Sequence, residues 1–402
     1  MLSYQEAVDV VLRTVQPLPP VEMALTEALG RVLAEPAVAR WNLPPTDNSA
    51  MDGYAFAWNG QGEGSELEVA GFVPAGSYLD EPVPPGRAVK IMTGAPLPAD
   101  CDTVVPVEEV AEEAARIRLL RPPRAEQHVR RRGEELEQGE ALLAAGMPLH
   151  AGEMGLLAAA GIERVKVHPA PRVALLSTGD ELVELGEVPG PGQIVNSNFH
   201  LLAARLKEEG CAVIPLGVAR DNEYDLAERI GRGLQADMLI STGGVSVGDR
   251  DYVQETLRAF GFVLGFWRVS IKPGKPVLFG TVKGRPVFGL PGNPAAAAAT
   301  FELFVRPALR RLAGFPGLLQ PRLQATLAAG IDGGEKRQRF IWGSLLERAG
   351  RIEFTPSSRQ GSGQNRSLQG VQALLPVPGG HPGLEVGAEV EVMLVRLPPG
   401  HA

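Results

Sequence analysis

Three glycine-bearing loops contain the residue types that most directly suggest ligand chemistry. They are Ser177–Glu181 (STGDE), Ser241–Asp251 (STGGVSVGDRD) and Gly289–Pro294 (GLPGNP). Glycines let the backbone approach a ligand closely, and the amides of such loops attract anions. One loop of this kind is often an ordinary strand-to-helix turn, whereas three favour a polar or phosphate-bearing ligand. The candidate binding residues in the last two loops are Gly243, Gly244, Ser246, Gly248, Gly292 and Asn293.

Acidic and basic side chains occur close to these loops. The acids are Asp180, Glu181, Asp221, Asp249 and Asp251, and the bases are Arg250, Lys272 and Lys275. Carboxylates with open coordination positions suit Mg²⁺ that holds a phosphate, and lysines suit an oxyanion. Each aspartate could equally be a helix N-cap or a solvated loop end, and lysines at a Pro-Gly turn are often simply exposed.

Two further stretches and one basic cluster are also candidates. Asp52 lies among turn formers in Pro45–Tyr54, and Ile91–Asp100 is a second stretch of this type. Both are equally consistent with Asx turns that cap strands. The cluster Arg130–Glu135 (RRRGEE) suits a phosphate or another subunit, although three adjacent arginines are more often a solvated face.

Several common kinds of site are excluded. The loop after Ser241 lacks the GK[ST] of a Walker A motif, and no predicted strand leads into GxGxxG. The six histidines form no HxxxH pair. Nucleoside triphosphate cleavage, nicotinamide chemistry and a histidine-zinc site are therefore not indicated.

The elements that would position the three loops are predicted between Pro171 and Ala313. Apolar runs of strand length alternate with helical segments there, which predicts a parallel sheet with helices on both faces. The predicted strands are Arg172–Ser177, Cys211–Val218, Asp237–Ser241 and Arg285–Leu290; the predicted helices are one ending at Glu209, Glu223–Leu234, Tyr252–Phe260 and Ala295–Leu312. In a doubly wound sheet, ligands bind outside the carboxyl ends of the strands, where all three loops fall.

The remaining chain reads as smaller units. Ser3 and Thr26 are predicted to cap two short helices, Tyr4–Val15 and a second ending at Leu33. A β-rich insert is predicted from Trp41 to Pro122, and a helix over Glu153–Ala160. Alternating runs after Gln320 predict a terminal β-barrel or sandwich.

Composition limits the class of protein. The 402 residues carry 39 Lys+Arg and 47 Asp+Glu, a net charge of −8, which argues against a generic nucleic-acid binder. Cys101 and Cys211 form no CxxC motif, and no apolar stretch is long enough to span a bilayer. A cytoplasmic protein that binds neither nucleic acid nor membrane is expected.

Seven motifs occur in an order that resembles the molybdopterin molybdenumtransferase family, to which the gephyrin E domain belongs. The resemblance covers essentially the whole chain, and the motifs that carry it lie between Asp47 and Pro294: Asp47–Tyr54, Ile91–Pro96, Arg130–Glu134, Ser177–Leu182, Ser241–Gly248, Lys272–Pro276 and Gly289–Pro294. The resemblance implies a linker domain (1–40 and 123–168), a β-rich insert (41–122), a molybdopterin-binding doubly wound α/β domain (169–316) and a C-terminal β-barrel (317–402). It also implies a homodimer whose cleft pairs the α/β domain of one chain with the insert of the other.

The reaction that the resemblance implies takes adenylylated molybdopterin and molybdate, releases AMP and leaves molybdenum on the dithiolene. Catalytic positions carried over are Asp52, Thr93, Glu181, Asp221 and Asp251, with Glu135 where the family often has Asp. Glu181 and Asp251 are the implied Mg²⁺ ligands, and Lys272 and Lys275 the implied anion-binding pair. Further substrate-binding positions are Pro291, Pro294 and, from a looser match, Ser357, Ser362 and Arg366. Molybdopterin adenylyltransferase is an expected partner.

Two rival functions are weighed against this one. A single-domain molybdopterin adenylyltransferase shares the α/β domain but does not need residues 1–168 or 320–402. A non-enzymatic scaffold has no need for Glu181 together with Asp251. Both are disfavoured.

Overall fold

A mixed six-stranded sheet forms the centre of the computed structural model, which describes residues 1–220, 222–244, 252–348 and 350–397. In spatial order its strands are Ala212–Ala219, Arg172–Thr178, Met238–Thr242, Arg285–Leu290, Leu278–Val282 and Phe262–Trp267. The first four are parallel, as predicted. The last two each run antiparallel to the preceding strand in this order, so the predicted parallel sheet has an antiparallel extension at one edge, where a hairpin replaces a helical crossover.

Helices cover both faces of this sheet. They are Ser197–Glu208, Glu223–Gly233, Tyr252–Ala259, Pro294–Thr300 and Arg306–Leu312, the last two joined by a π-helical turn at Phe301–Val305. Side chains of the strand from Arg172 alternate between the two cores: Val173 and Leu175 enter one, and Ala174 and Leu176 the other. Burial on both faces explains the continuous apolar runs in the sequence.

The N-terminal helix Tyr4–Thr14 begins as predicted. Ser3 Oγ accepts from the Glu6 amide, and the Glu6 carboxylate accepts from the Ser3 amide at 2.8 Å, a capping box. Its buried face packs into the core of the α/β domain, with Tyr4 in edge-to-face contact with Phe340.

The predicted second helix, from Thr26 to Leu33, is wrong. The segment contains strands Val21–Ala24 and Val32–Leu33 around a short 3₁₀ turn, Leu25–Glu27. Both strands pair with Arg164–His168, so pairing with a distant segment outweighs local helix propensity.

One apolar core unites the segments before and after the insert. It contains Leu33 and Leu157, with helix Ala151–Ala159 packed beside it as predicted. Small pairings complete this region: Ala37–Val38 with Ala141–Leu143, and Asn48–Ser49 with Val129–Arg130.

The insert is a second six-stranded sheet, which agrees with the predicted β-rich texture. In spatial order its strands are Thr103–Pro106, Gly53–Phe56, Arg87–Ile91, Glu66–Val73, Arg116–Leu119 and Val110–Glu113, with a 3₁₀ turn at Val107–Glu109.

The C-terminal region is a closed five-stranded barrel, as predicted. Its strands follow the ring Gln338–Arg348, Arg351–Pro356, Arg322–Leu327, Glu389–Leu394 and Ala373–Val377, which pairs back with the first. A short strand of the α/β domain, Ile271–Lys272, joins beside Gln338–Arg348. A small ladder, Ile331–Asp332 with Gly383–Leu384, and a 3₁₀ turn, Asn365–Leu368, complete it.

In the described part of the chain, every helix is too short or too polar to cross a membrane.

A buried charge network fixes the π-helical turn. Glu302, 2% exposed, accepts from Arg205 Nε at 2.7 Å and lies 3.6 Å from Arg306 Nη1. Arg306 Nε also contacts the Glu209 carboxylate at 2.8 Å. Burial raises the pKa of Glu302, and the two guanidinium groups oppose that rise.

Replacing Glu302 with alanine should lower the free energy of unfolding by about 3–5 kcal/mol, because two largely buried guanidinium groups lose their most deeply buried partner and share Glu209 instead. Urea unfolding followed by circular dichroism measures this. The control is Glu66→Ala, which breaks an exposed pair with Arg116 and should cost less than about 1 kcal/mol. Equal effects of the two substitutions would contradict the network's role.

Candidate active site

The centre of the candidate site is the edge of the sheet at which three adjacent parallel strands end. Ser177 lies opposite Thr242, and Thr242 lies opposite Leu290 in the strand register. The glycine loops that follow Thr178, Thr242 and Leu290 therefore meet at one place, as the sequence predicts.

Glycine is required where these loops touch. Gly243 has a φ of +90°, and a Cβ there would lie 2.5 Å from the carbonyl oxygen of Thr178. Gly179 has a φ of +142°, and a Cβ there would lie 2.4 Å from Glu181 Oε2. At Gly243 the obstacle is backbone, so the two loops pack backbone against backbone there, whereas at Gly179 it is the end of a side chain in the same loop.

Asn198 joins two of the loops. Its Nδ2 donates to Thr242 Oγ1 at 2.9 Å and to the carbonyl oxygen of Gly292 at 2.7 Å. Asn196 caps the same helix: its Oδ1 accepts from the Phe199 amide at 3.3 Å. The sequence pattern around both asparagines indicates only a helix start and does not predict their place at the site.

Three of the polar side chains here are deeply buried and incompletely satisfied. Thr178, Asn196 and Asn198 are each 9% exposed or less. Among the described residues, Thr178 Oγ1, Asn196 Nδ2 and Asn198 Oδ1 lack a hydrogen-bond partner. Buried polar groups without partners are rare away from functional sites.

Two adjoining cavities of about 420 and 440 Å³ open at this edge. They share a wall made of Thr178, Glu181, Ile194, Gly243, Gly292 and Asn293. The second is also lined by Gly244, Pro276 and Pro291, and the first by Pro294. Most of the predicted glycine-loop residues thus lie on one cleft, which has the size of a small-molecule site.

The barrel closes one side of the cleft. Asn293 Nδ2 donates to Ser362 Oγ at 3.2 Å, and Asn365 Nδ2 donates to Ser197 Oγ at 3.3 Å. Gly363 and Asn365 line the first cavity. Ser362 is therefore beside the cleft, and its substrate-binding role stays a prediction.

Ser357 and Arg366 do not line either cavity. Ser357 Oγ donates to the Arg359 carbonyl at 3.1 Å, and Arg366 is exposed in the 3₁₀ turn. Their substrate-binding role stays a prediction.

Lys272 and Lys275 occupy different environments. Lys272 Nζ forms an ion pair with Glu335 of the barrel at 2.8 Å. Lys275 is exposed, forms no ion pair with any described residue, and directly precedes the cavity residue Pro276. Among the described residues, Lys272 thus has a carboxylate partner, whereas Lys275 has none and can bind an anion directly.

In the insert, Asp52 and Thr93 are in direct contact. The backbone N–H and the hydroxyl of Thr93 both donate to Asp52 Oδ1 at 2.7 Å. These two hydrogen bonds, the backbone one first, lower the pKa of Asp52. The carboxylate is exposed, which leaves it open to a partner from outside the insert.

The basic cluster folds beside the Asp47 stretch. Asp47 accepts from Arg131 Nη1 at 2.6 Å and from the Arg132 amide at 2.7 Å, so Arg131 serves a structural clamp. Glu135 is exposed, and its amide donates to the Leu43 carbonyl at 3.0 Å. No residue from 41–135 lines the two cavities, within the described residues.

Four predicted residues, Asp221, Ser246, Gly248 and Asp251, lie outside the described residues. The proposed pairing of Glu181 with Asp251 at a metal is therefore an open prediction. Within the ranges that the structure describes, no three His, Cys, Asp or Glu side chains form a metal-binding group. Glu181 itself is exposed at the cleft wall, and its carboxylate is the oxygen donor that Mg²⁺ favours.

Gly243→Ala should destabilise the protein by about 1–3 kcal/mol, because a Cβ at positive φ would strike the Thr178 carbonyl. Thermal unfolding measures the loss. Gly292→Ala is the matched control in the same cleft, since its nearest atom would be 3.8 Å away. Equal melting temperatures for the two variants would contradict the close approach of the loops.

Thr93→Val should raise the pKa of Asp52 toward its ordinary value of 3.8, although not fully, because the backbone N–H remains. Carboxyl ¹³C titration measures it. The hydrogen bonds from Thr93 stabilise the folded protein at pH values above 3.8, the ordinary pKa of an aspartate. This stabilisation is lost as the pH falls through the lowered pKa of Asp52. The control is Thr103→Val, which removes a hydroxyl that donates to Asp102 and should leave the pKa of Asp52 unchanged. A shifted pKa of Asp52 in Thr103→Val, or an unshifted one in Thr93→Val, would contradict the role of the Thr93 hydroxyl.

Three family models match consecutive parts of the chain. The MoeA N-terminal region (domain I and II) matches residues 2–161, a probable molybdopterin binding domain matches 174–311, and the MoeA C-terminal region (domain IV) matches 324–395. Together they match most of the chain.

Similar proteins extend over nearly the full length. The molybdopterin molybdenumtransferase of a Nostoc species is 39% identical, covering 92% of this chain and 87% of that protein. Molybdopterin molybdenumtransferase 2 of Mycobacterium tuberculosis is 34% identical over 98% of this chain and 99% of its own. The crystal structure of a molybdopterin biosynthesis MoeA protein from Pyrococcus horikoshii superimposes with a TM-score of 0.81 at 31% identity, covering 98% of this chain and all of that one. The chain belongs to the molybdopterin molybdenumtransferase family.

Proposed function

We propose that this enzyme transfers molybdenum from molybdate to the dithiolene of adenylylated molybdopterin and releases AMP, with Mg²⁺ as cofactor. The observation that carries the proposal is the cleft where three glycine loops meet beside buried hydroxyl and carboxamide groups. A cleft of this kind suits a ligand that combines phosphates with an uncharged polar ring.

Molybdate is a small dianion, so cationic side chains and loop amides are its natural partners. Lys275 is exposed next to the cleft residue Pro276 and is unpaired among the described residues. We assign it the first contact with the oxyanion. Lys272 lies three residues earlier on the same loop and supplies the second positive charge.

The phosphate side of the substrate is assigned to the glycine loops. Gly179 and Gly243 bring backbone close to the cavities, where amides can meet phosphate oxygens without interference from a Cβ. Glu181, with Asp251 from outside the described residues, would hold Mg²⁺. When bound there, Mg²⁺ neutralises charge on the phosphoryl group.

The protein's own residues bind and orient rather than react. The described lining of the two cavities contains no cysteine, histidine or lysine, so its hydroxyls have no histidine base to activate them. Attack of water on the adenylyl phosphorus fits this lining, because it breaks the pyrophosphate bond and leaves AMP and the molybdopterin phosphate. If an oxygen of molybdate attacks instead, the same bond breaks, and water then cleaves the adenylyl-molybdate anhydride to AMP and molybdate, which the dithiolene binds. A covalent nucleotidyl-enzyme detected by mass spectrometry would overturn either route.

Asp52 and Thr93 are proposed to act in the cleft of a second chain. They lie on an exposed surface of the insert, and no described insert residue lines the cavities of the same chain. We assign them to the cleft of the partner subunit in a homodimer. A cytoplasmic location and delivery of substrate by molybdopterin adenylyltransferase complete the proposal.

Heterodimers test the shared site. A chain with Asp52→Ala paired with a chain with Glu181→Ala contains one intact site if each site takes residues from both chains. Purified through two different tags, this dimer should release AMP in a molybdate-dependent way at about half the wild-type rate, whereas each variant homodimer is inactive.

The control reverses the arrangement. Wild-type chain paired with an Asp52→Ala/Glu181→Ala double variant should be inactive, because both of its sites are damaged. Activity in this dimer and none in the first would place both residues in one chain. A folded wild-type dimer that releases no AMP would favour a scaffold, and nucleotidyl transfer from ATP would favour an adenylyltransferase.

A further inference from the structure

The loop that carries both lysines is clamped to the barrel. The strand Ile271–Lys272 pairs with Gln338 and Arg339, and the Gln338 amide donates to the Ser270 carbonyl at 3.3 Å. Arg337 Nη1 donates to the Ile271 carbonyl at 3.2 Å. The strand pairing fixes the backbone of the loop without an ion pair, whereas the Arg337 side chain is itself paired with Glu335.

Glu335 adds a charged contact to this clamp. One carboxylate oxygen accepts from Lys272 Nζ at 2.8 Å, and the other accepts from Arg337 Nε at 3.3 Å. The carboxylate thus bridges two cations, as a tetrahedral oxyanion would. The hydrogen bond from Lys272, with further contributions from Arg337, lowers the pKa of Glu335 to about 2, so it is ionised at neutral pH.

The pair is open enough to be exchanged. The side chain of Lys272 is 53% exposed and that of Glu335 is 20% exposed. Exposed ion pairs contribute little net stability, so a competing anion can replace one partner at low cost. Lys275, three residues away, carries an unpaired charge among the described residues and is ready to meet that anion first.

We propose that Glu335 is a displaceable internal counterion of Lys272, whose carboxylate gives way to molybdate when the oxyanion enters. This inference rests on the proposed function, because it takes Lys272 as an oxyanion-binding residue. Lys275 captures the dianion, and Lys272 exchanges Glu335 for it. Glu335 thereby sets the affinity for the oxyanion and keeps weaker or singly charged anions from occupying Lys272.

The test is the dissociation constant of molybdate for the full-length protein, measured by isothermal titration calorimetry with sulfate as a second probe. Glu335→Gln should tighten molybdate binding about two- to fivefold, because it removes a carboxylate that competes for Lys272 with about the free energy of an exposed ion pair. Lys272→Met combined with Glu335→Gln should abolish the gain, because the freed lysine is what the anion binds.

The matched control is Glu112→Gln. It breaks an exposed pair of the same type, Lys90 Nζ to Glu112 Oε1 at 3.1 Å on the insert, and changes the net charge by the same amount. It should leave the dissociation constant unchanged. A gain equal to that of Glu335→Gln would reveal a general charge effect and overturn the proposal.

Unchanged or weaker molybdate binding in Glu335→Gln, at an unaltered melting temperature, would also overturn it, since Glu335 would then position Lys272 rather than compete. If Glu335→Gln unfolds, Glu335→Asp, which keeps the charge on a shorter side chain, should give a smaller gain in affinity; no gain would refute the counterion role. A failure of the proposed function would give a different result: the wild type would release no AMP even though Glu335→Gln still tightened molybdate binding.

Discussion

The close approach of Gly243 to the carbonyl oxygen of Thr178 is the constraint on which the rest of the site depends. Three parallel strands end side by side, and their loops can share one space only where a Cβ is absent. Asn198 then holds the arrangement by donating to both Thr242 and Gly292. The cleft is therefore a direct consequence of strand register, of glycine at one position and of one carboxamide.

The barrel serves this cleft from two sides. Its loop around Ser362 is hydrogen-bonded to Asn293 on one side, and Glu335 engages Lys272 on the other. The domain that follows in the sequence thus contacts the loops of the α/β domain and balances one of their charges. The insert remains apart, with the Asp52 carboxylate held by Thr93 and facing solvent.

Much of this could be predicted from the sequence, for identifiable reasons. The apolar run that begins at Arg172 is continuous because both faces of its strand are buried. Ser3 and Glu6 have the spacing of a capping box, which marks the start of the first helix. The helix predicted from Thr26 is absent because that segment pairs with a strand about 140 residues later. Local helix propensity contains no information on such a distant partner.

The roles of Asn198 and Glu335 also depend on partners far along the chain. A helix-start asparagine looks the same whether or not it ties two loops together, and a loop glutamate gives no sign of the lysine it meets. A signal for Asn198 was available: it sits at the start of the helix that follows one of the glycine loops.

The measurement that tests this account most directly is the ratio of AMP released to molybdenum bound. Purified protein would be incubated with adenylylated molybdopterin, Mg²⁺ and molybdate, and both products would be quantified after removal of free metal. The account predicts that AMP appears only with molybdate, and that about one molybdenum is bound to the pterin dithiolene for each AMP. AMP release at the same rate without molybdate, or release that leaves no molybdenum on the dithiolene, would contradict it.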